Sequence, residues 1–172
     1  MQTISMLLKV VVLQLISFYT LIINDINGNI TSFASFSGKK ILIVNTCTAT
    51  ADTSQYAGLE QLHQKYKDSL IIIAVPSNSF GNTPQSDVAI KNFVLNRYNI
   101  HYLLASKSSV KGGDISPLYS WLTDSTKNGM IKDTVRKDFY KFLINKEGLL
   151  IGAFSNKVLP MSPTIQNAVQ MP

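Results

Sequence analysis

The sequence predicts an α/β fold in which helices flank a central mixed β-sheet and a β-hairpin opens the folded part. Two continuous apolar runs rich in β-branched residues, 41–44 and 70–75, are typical of strands buried on both faces of a sheet. A helical pattern between them makes a βαβ unit, whose strands are parallel. The apolar runs 139–144 and 149–154, joined by Asn-Lys-Glu-Gly, predict an antiparallel hairpin near the other end of the chain.

The opening hairpin is predicted from one turn signal. Asn27-Gly28 stands between the apolar runs 19–24 and 30–33, and Asn-Gly in such a position favours a tight β-turn. We therefore expect the folded domain to cover residues 17–172 as one unit without internal repeats.

Four helices are expected around the sheet. The first begins at Asp52, which forms a capping-box pattern with Gln55 three residues later. The second covers residues 86–97 and the third covers residues 115–123. The last follows Ser162, a cap residue ahead of a proline. The residues expected to face the core are Tyr56, Leu59, Leu62, Tyr66, Ile90, Phe93, Val94, Leu118, Trp121, Leu122, Ile165, Ala168 and Val169.

Composition and charge narrow the range of functions. The chain has 172 residues, 45% of them hydrophobic and 15% charged, which is typical of one globular domain. Lysine and arginine number 16 against 10 acidic residues, giving a net charge of +6. The basic residues are scattered and no arginine stripe or aromatic platform accompanies them, which argues against a nucleic-acid partner. Weak attraction to anionic surfaces remains as an expectation.

The N-terminal segment, residues 1–16, is an apolar extension or a signal peptide. It carries one charge, Lys9, ahead of an apolar run, but it has no clean small-x-small cleavage site. A signal peptide would make the protein exported, periplasmic or membrane-tethered, and a plain extension would leave it cytoplasmic. The sequence leaves the oligomeric state open.

Cysteine and histidine usage excludes several kinds of site. Cys47 is the chain's one cysteine, so neither an intramolecular disulfide nor a two-cysteine zinc or redox motif can form. Neither His63 nor His101 has an acid or a cysteine at ligand spacing. We therefore predict no metal and no cofactor.

Seven short motifs follow one another along the chain. They are Asp-Ile-Asn-Gly at 25–28, Ile-Leu-Ile-Val-Asn at 41–45, Thr-Ser-Gln-Tyr at 53–56, Val-Pro-Ser-Asn-Ser-Phe-Gly at 75–81, Val-Lys-Gly at 110–112, Pro-Leu-Tyr at 117–119 and Lys-Phe-Leu at 141–143. Together, from about Ser17 to Ala168, they resemble the glutathione peroxidase family. The resemblance implies a thioredoxin-like fold.

The resemblance also implies an activity, the thiol-dependent reduction of hydrogen peroxide and lipid hydroperoxides with glutathione or thioredoxin as the electron donor. The family places a peroxidatic cysteine or selenocysteine five residues after the strand asparagine, Asn45 here. It also has a glutamine in the 75–81 loop and a Trp-Asn pair before Lys-Phe-Leu. This chain has Thr50, Ser79 and the pair Lys137-Asp138 at those positions.

These substitutions predict a catalytically inactive pseudo-peroxidase. A peroxidatic group must attack oxygen, leave as a sulfenic or selenenic acid and be reduced again by a thiol. The hydroxyl of Thr50 cannot complete that cycle. Asp52, as the expected helix cap, would also disfavour an anion at the start of the helix.

Two further interpretations stay open. Cys47 is either an inert core thiol or the nucleophile of an unorthodox thiol peroxidase that lacks a resolving cysteine. Lys137 and Asp138 are either a solvated pair before a strand or part of a reused active-site cleft that binds a small anion or a protein partner. The residues expected to line that cleft are Thr50, Ser77, Asn78, Ser79 and Lys137.

Overall fold

The computed structural model describes residues 17–172, so the predicted N-terminal extension, residues 1–16, lies outside the described residues. The strands are β1 (Ile22–Asn24), β2 (Ile30–Ser32), β3 (Lys40–Thr46), β4 (Leu70–Pro76), β5 (Leu103–Leu104), β6 (Lys141–Ile144) and β7 (Leu150–Phe154). The helices are α1 (Gln55–Tyr66), α2 (Asp87–Tyr98), α3 (Pro117–Thr123), α4 (Ser125–Asn128) and α5 (Pro163–Gln170). Short 3-10 helices cover Phe18–Thr20, Phe33–Phe36 and Ala51–Ser54.

The central sheet has five strands in the order β5-β4-β3-β6-β7. Strand β3 is parallel to β4, with Ile41 opposite Ile71, and antiparallel to β6, with Ile41 opposite Ile144. Strands β6 and β7 form the predicted C-terminal hairpin, and β1 and β2 form the predicted N-terminal one. The mixed sheet and both hairpins are therefore confirmed.

The core lies on both faces of the sheet because successive side chains of β3 alternate between them. Leu42 and Val44 pack in the cluster that contains the apolar faces of α1, α2 and α5. Ile41 and Ile43 pack in the opposite cluster, with α3 and the first two 3-10 helices. All four side chains are buried, and burying each one contributes about 1.5–3 kcal/mol.

The first helix begins differently from the prediction. Thr50 occupies the cap position of the Ala51–Ser54 3-10 helix, and α1 follows directly. The predicted capping box is wrong because both of its side chains have tertiary partners. Asp52 accepts a hydrogen bond from Nδ2 of Asn156 at 3.3 Å, and the Gln55 amide donates to the Asn156 carbonyl at 3.0 Å.

Two other boundaries shift for local reasons. Helix α3 begins at Pro117, two residues after the predicted start, because Ser116 is its cap and accepts from the Tyr119 N–H. Strand β6 begins at Lys141 because Phe139 has a φ of 62°, which is incompatible with an extended strand. The predicted cap of the last helix is confirmed, since Ser162 accepts from Ile165. Ser86, the first residue of the predicted second helix, is the cap of α2 and accepts from Ala89.

Within residues 17–172, no helix is both long enough and apolar enough to cross a lipid bilayer.

Lys40 holds the C-terminal helix against the sheet. Its side chain is 2% exposed and its ammonium donates to the carbonyls of Ala168, Val169 and Met171. These carbonyls lie in the last turn of α5 and at its C-cap, Met171, where helical partners are missing and the helix dipole is negative. One lysine therefore caps α5 from β3.

Replacing Lys40 with methionine removes this cap while keeping most of the apolar stem. We expect the free energy of unfolding in urea to fall by about 2 kcal/mol, the usual contribution of hydrogen bonds to a charged group. Lys132→Met, at an exposed loop lysine, should change it by less than about 0.5 kcal/mol. Equal effects of the two substitutions would contradict the capping role.

Candidate functional site

Three segments meet where β3 and β4 end. They are residues 47–50 after β3, the loop 77–83 after β4, and residues 137–140 before β6. Asn45 joins the first to the third: its Nδ2 donates to the Lys137 carbonyl and its Oδ1 accepts from Tyr140 N–H, both at 3.1 Å. Because all three segments begin or end on the sheet, the rigid strands fix their side chains relative to one another.

Thr50 stands at the start of the 3-10 helix that leads into α1, and it is partly exposed. Its side chain does not cap the helix. Instead, its hydroxyl lies 3.0 Å from the sulfur of Cys47. The family position for a peroxidatic thiol is thus occupied by a hydroxyl that faces the chain's one cysteine.

Cys47 is completely buried, as the interpretation of an inert core thiol expects. Burial raises the pKa of the thiol to about 11, and the nearby Asp138 carboxylate adds to the rise, while the hydrogen bond with Thr50 opposes it. Thiol reactivity depends on the thiolate form. At neutral pH, Cys47 is therefore almost entirely in its unreactive, protonated form.

Asp138 is fully buried, whereas the neighbouring Lys137 is exposed. One carboxylate oxygen of Asp138 accepts from Nδ2 of Asn82 at 2.7 Å, and within residues 17–172 the other has no hydrogen-bond partner. Burial raises the pKa of Asp138, and the hydrogen bond from Asn82 opposes this rise. The interpretation of Lys137 and Asp138 as a solvated pair is therefore wrong.

Serine hydroxyls organise the loop after β4. The buried Ser77 hydroxyl donates to Oγ of Ser79 at 3.0 Å and accepts from the Ser79 N–H at 3.2 Å. The Ser79 hydroxyl in turn accepts from Val110 N–H at 3.1 Å and lies 3.3 Å from Oγ of Ser109. Ser79 therefore ties the loop after β4 to the loop after β5.

The residues predicted to line one cleft lie around two cavities. Thr50 lines a cavity of about 620 Å³ together with Arg97 and Tyr98. Asn78 and Ser79 line another, of about 530 Å³. Neither Ser77 nor Lys137 lines either cavity.

Sequence reasoning missed several polar residues at this end of the sheet. Lys107 and Lys111 line the cavity of Asn78 and Ser79, although no prediction from the sequence singled them out. Asn82 binds Asp138, although the sequence gives no signal for that contact. Lys141 is fully buried, donates to Gln55 Oε1 and the Phe139 carbonyl, and has a pKa lowered to about 8 by burial.

The described residues contain no cluster of three or more His, Cys, Asp or Glu side chains that could hold a metal ion. His101 instead pairs with Glu60 at 2.8 Å on the surface. The groups that solvent can reach at the family's catalytic positions are hydroxyls and one ammonium. This set can donate hydrogen bonds and attract anions, but it cannot accept an oxygen atom from a peroxide.

Comparison with known sequences places these observations in a family. The family profile described as "Glutathione peroxidase" matches residues 18–123. The glutathione peroxidase-like peroxiredoxin gpx1 of Schizosaccharomyces pombe is 38% identical over 141 residues, which cover 81% of this chain and 89% of that protein. The glutathione peroxidase of Lactococcus lactis is 33% identical over 146 residues, covering 84% and 92%.

Solved structures agree with the sequence relatives. The crystal structure of Trgpx in apo form superposes with a TM-score of 0.66 at 28% identity, covering 91% of this chain and 97% of that one. A thioredoxin-family thiol:disulfide interchange protein from Chlorobium tepidum gives a TM-score of 0.62 at 15% identity, with the same coverage. The second likeness shows the fold alone, which is thioredoxin-like.

The burial of Cys47 predicts a slow thiol. Because its pKa of about 11 exceeds the ~8.5 of a free thiol, alkylation by iodoacetamide at pH 7.5 should be roughly a hundredfold slower in the native protein than in urea. Mass spectrometry of quenched samples measures both rates. Cys47→Ser serves as the blank, and similar rates in the two states would contradict the burial.

Asp138→Asn tests the cost of the buried carboxylate. Folding raises the pKa of the Asp138 carboxyl, so the protonated form stabilises the folded protein. This contribution is complete at pH values below 3.8, the ordinary pKa of the group, and is lost as the pH rises through the pKa of the folded state. The free-energy advantage of the variant over wild type should therefore grow from about pH 4 upward and then level off. Asp68→Asn, at an exposed position, should show no such growth. A constant difference between Asp138→Asn and wild type would contradict the raised pKa.

Proposed function

This chain belongs to the glutathione peroxidase family, and we propose that it is a member that keeps the fold but does not reduce hydroperoxides. One observation carries this proposal. Thr50 places a hydroxyl at the solvent-accessible start of the helix. The chain's one thiol, that of Cys47, is buried next to it. The scaffold is compatible with this loss because fold and chemistry depend on different residues.

The chemistry of the reaction supports the proposal. In thiol-dependent peroxide reduction, the thiolate sulfur bonds to one peroxide oxygen, the O–O bond breaks, and the other oxygen leaves as an alcohol or water. A second thiol must then reduce the sulfenic acid, releasing the oxygen as water. Thr50 offers no sulfur to be oxidised, and the Cys47 thiolate that would start the reaction is almost absent at neutral pH.

The surroundings of Thr50 lack the other groups that the family pattern places around the peroxide. Ser79 stands at the glutamine position, with its hydroxyl engaged by Val110 and Ser109. Lys137 is exposed, and the Asp138 carboxylate is buried and directed at Asn82. The negative charge of the Asp138 carboxylate near the thiol raises the pKa of Cys47, which is the reverse of what a peroxidase needs.

The competing candidate is an unorthodox thiol peroxidase that works through Cys47. It requires a conformational opening that exposes the sulfur, because the native side chain is 0% exposed. Glutathione or a thioredoxin would also have to regenerate it, since the chain holds no second cysteine. An assay with a cysteine variant separates this candidate from the inactive one.

We expect the purified wild-type protein not to consume hydrogen peroxide or a lipid hydroperoxide above the buffer rate. The assay follows NADPH oxidation, with glutathione and glutathione reductase in one series and a thioredoxin system in the other. Cys47→Ser should behave identically. Turnover in the wild type that disappears in Cys47→Ser would overturn the proposal and make Cys47 the nucleophile.

A matched variant tests whether position 50 decides the loss. Thr50→Cys in the Cys47→Ser background places one thiol at the partly exposed helix start, where the dipole favours a thiolate. We expect hydrogen peroxide to oxidise this thiol at least about tenfold faster than Cys47 of the wild type. Equal rates would show that the substitution at position 50 is not what separates the chain from its active relatives.

A further inference from the structure

The cavity of about 530 Å³ beside Ser79 lies at the carboxyl ends of the parallel strands β4 and β5. Open α/β sheets bind ligands in such places because loops from neighbouring strands converge there. Its volume lies within the range of small-molecule sites. Its lining includes Asn78, Ser79, Lys107, Ser109, Lys111 and Asp114.

Two ammonium groups give the cavity a positive character. Lys107 is anchored, because its Nζ donates to the Gln85 carbonyl at 2.6 Å and its backbone N–H donates to the Asp87 carboxylate at 2.9 Å. The ammonium of Lys111 lies 4.0 Å from the centre of the Phe80 ring. Within residues 17–172, neither lysine forms an ion pair with a carboxylate.

The one acidic side chain of the lining does not neutralise these charges through contact. Asp114 accepts from the Ser109 hydroxyl at 3.0 Å. The amide oxygen of Asn78 accepts a hydrogen bond from the Thr83 N–H. Its NH₂ group is the donor that remains for a ligand. The cavity therefore presents two cations and the NH₂ group of Asn78 against a single carboxylate, that of Asp114.

Hydrogen bonds join the two loops that line the cavity. The Ser79 hydroxyl accepts from Val110 N–H, and the Ser108 N–H donates to the Pro76 carbonyl at 2.9 Å. These bonds connect the loop after β4 with the loop after β5. A preorganised site loses less conformational entropy on binding.

Ser79 also makes room for a ligand. The family pattern has glutamine at this position, whose side chain is longer by one methylene and ends in an amide. The shorter serine side chain leaves more room in the cavity that Asn78, Ser79 and Ser109 line than a glutamine would.

We propose that this cavity binds a phosphate monoester group, carried by a soluble molecule or by a lipid headgroup. A tetrahedral phosphate has three terminal oxygens that accept from several donors at once, and lysine binds it as a point charge. The proposal goes beyond the loss of peroxidase activity and does not depend on it, since none of its cations belongs to the peroxidase positions.

Titration of the isotope-labelled wild-type protein with inorganic phosphate, at constant ionic strength maintained with chloride, tests the site by NMR. We expect saturable amide shifts confined to residues 78–80 and 107–114. Shifts that map instead to Thr48–Ser54 and Arg97, around the other cavity, would overturn the assignment, as would the absence of saturation.

Two variants that remove the same charge distinguish a specific phosphate site from general attraction of phosphate to a basic protein. Lys111→Gln should weaken phosphate binding roughly tenfold, the effect of losing one charge-assisted hydrogen bond. Lys67→Gln removes the same charge from an exposed position at the end of α1 and should leave binding unchanged. Equal weakening by the two variants would overturn the proposal. Ser79→Gln should weaken phosphate binding, because it narrows the cavity and removes the hydroxyl that joins the two loops; its amide spectrum reports whether the fold is kept.

Vesicles distinguish the two sources of the phosphate group. Wild-type protein is sedimented with phosphatidylcholine vesicles that contain phosphatidic acid, and with matched vesicles that contain phosphatidylglycerol, a phosphodiester. Selective binding to phosphatidic acid that is weakened by Lys111→Gln supports the site with a lipid headgroup. Phosphate binding in solution without vesicle binding supports the site with a soluble monoester. Vesicle binding that Lys111→Gln and Lys67→Gln weaken equally would contradict the site.

Discussion

Asn45 is the residue on which the arrangement of this end of the molecule depends. Its backbone N–H donates to the Tyr140 carbonyl and its carbonyl accepts from Phe139 N–H, while its side-chain amide binds Lys137 and Tyr140. Burying a polar group costs free energy unless the group is hydrogen-bonded. The polar groups of Asn45 find these partners only when residues 137–140 take this one position. That position places Asp138 beside Cys47 and aligns Lys141 at the start of β6.

Residues 137–140 are held in a strained conformation, and buried polar atoms near them lack partners within the described part of the chain. The positive φ of Phe139, 62°, costs about 1–3 kcal/mol for a non-glycine residue and is held by its neighbours. The Thr46, Tyr56 and Asp138 side chains each have a buried oxygen without a hydrogen-bond partner among the described residues. Within residues 17–172, the region around Asn45 thus contains more unpaired polar atoms and more backbone strain than the strands beside it.

The fold could be predicted from the sequence because its signals are local. The runs at 41–44 and 70–75 are typical of buried strands, and the predicted cap Ser162 has its partner, Ile165, three residues away. The capping box at Asp52 failed for the opposite reason. Its partner, Asn156, is distant in the sequence, and nothing near Asp52 indicates that contact. The 3-10 start of α1 depends on the same tertiary contacts.

The candidate site could be predicted only as far as alignment to the family motifs allowed. Motif counting located Thr50, Ser79 and Asp138, but it could not show that Asp138 is buried or that Thr50 and Ser79 line different cavities. Burial depends on how residues 137–140 pack across Asn45, and the division of the cleft depends on where the loop after β4 turns. Lys107 and Lys111 were read as members of a scattered basic surface because charge patterning along the chain contains no information about convergence in space.

Redox chemistry and electrostatic recognition place opposite demands on this region, and our two proposals assign only the second to this chain. A reactive thiolate needs exposure and a lowered pKa, whereas Cys47 is buried with a pKa raised to about 11. Anion binding needs fixed cations that no carboxylate pairs with. Lys107 and Lys111 meet that requirement on loops that Ser79 holds together. Since the rigid strand ends position both kinds of site equally well, the side chains on the loops decide which chemistry this scaffold supports.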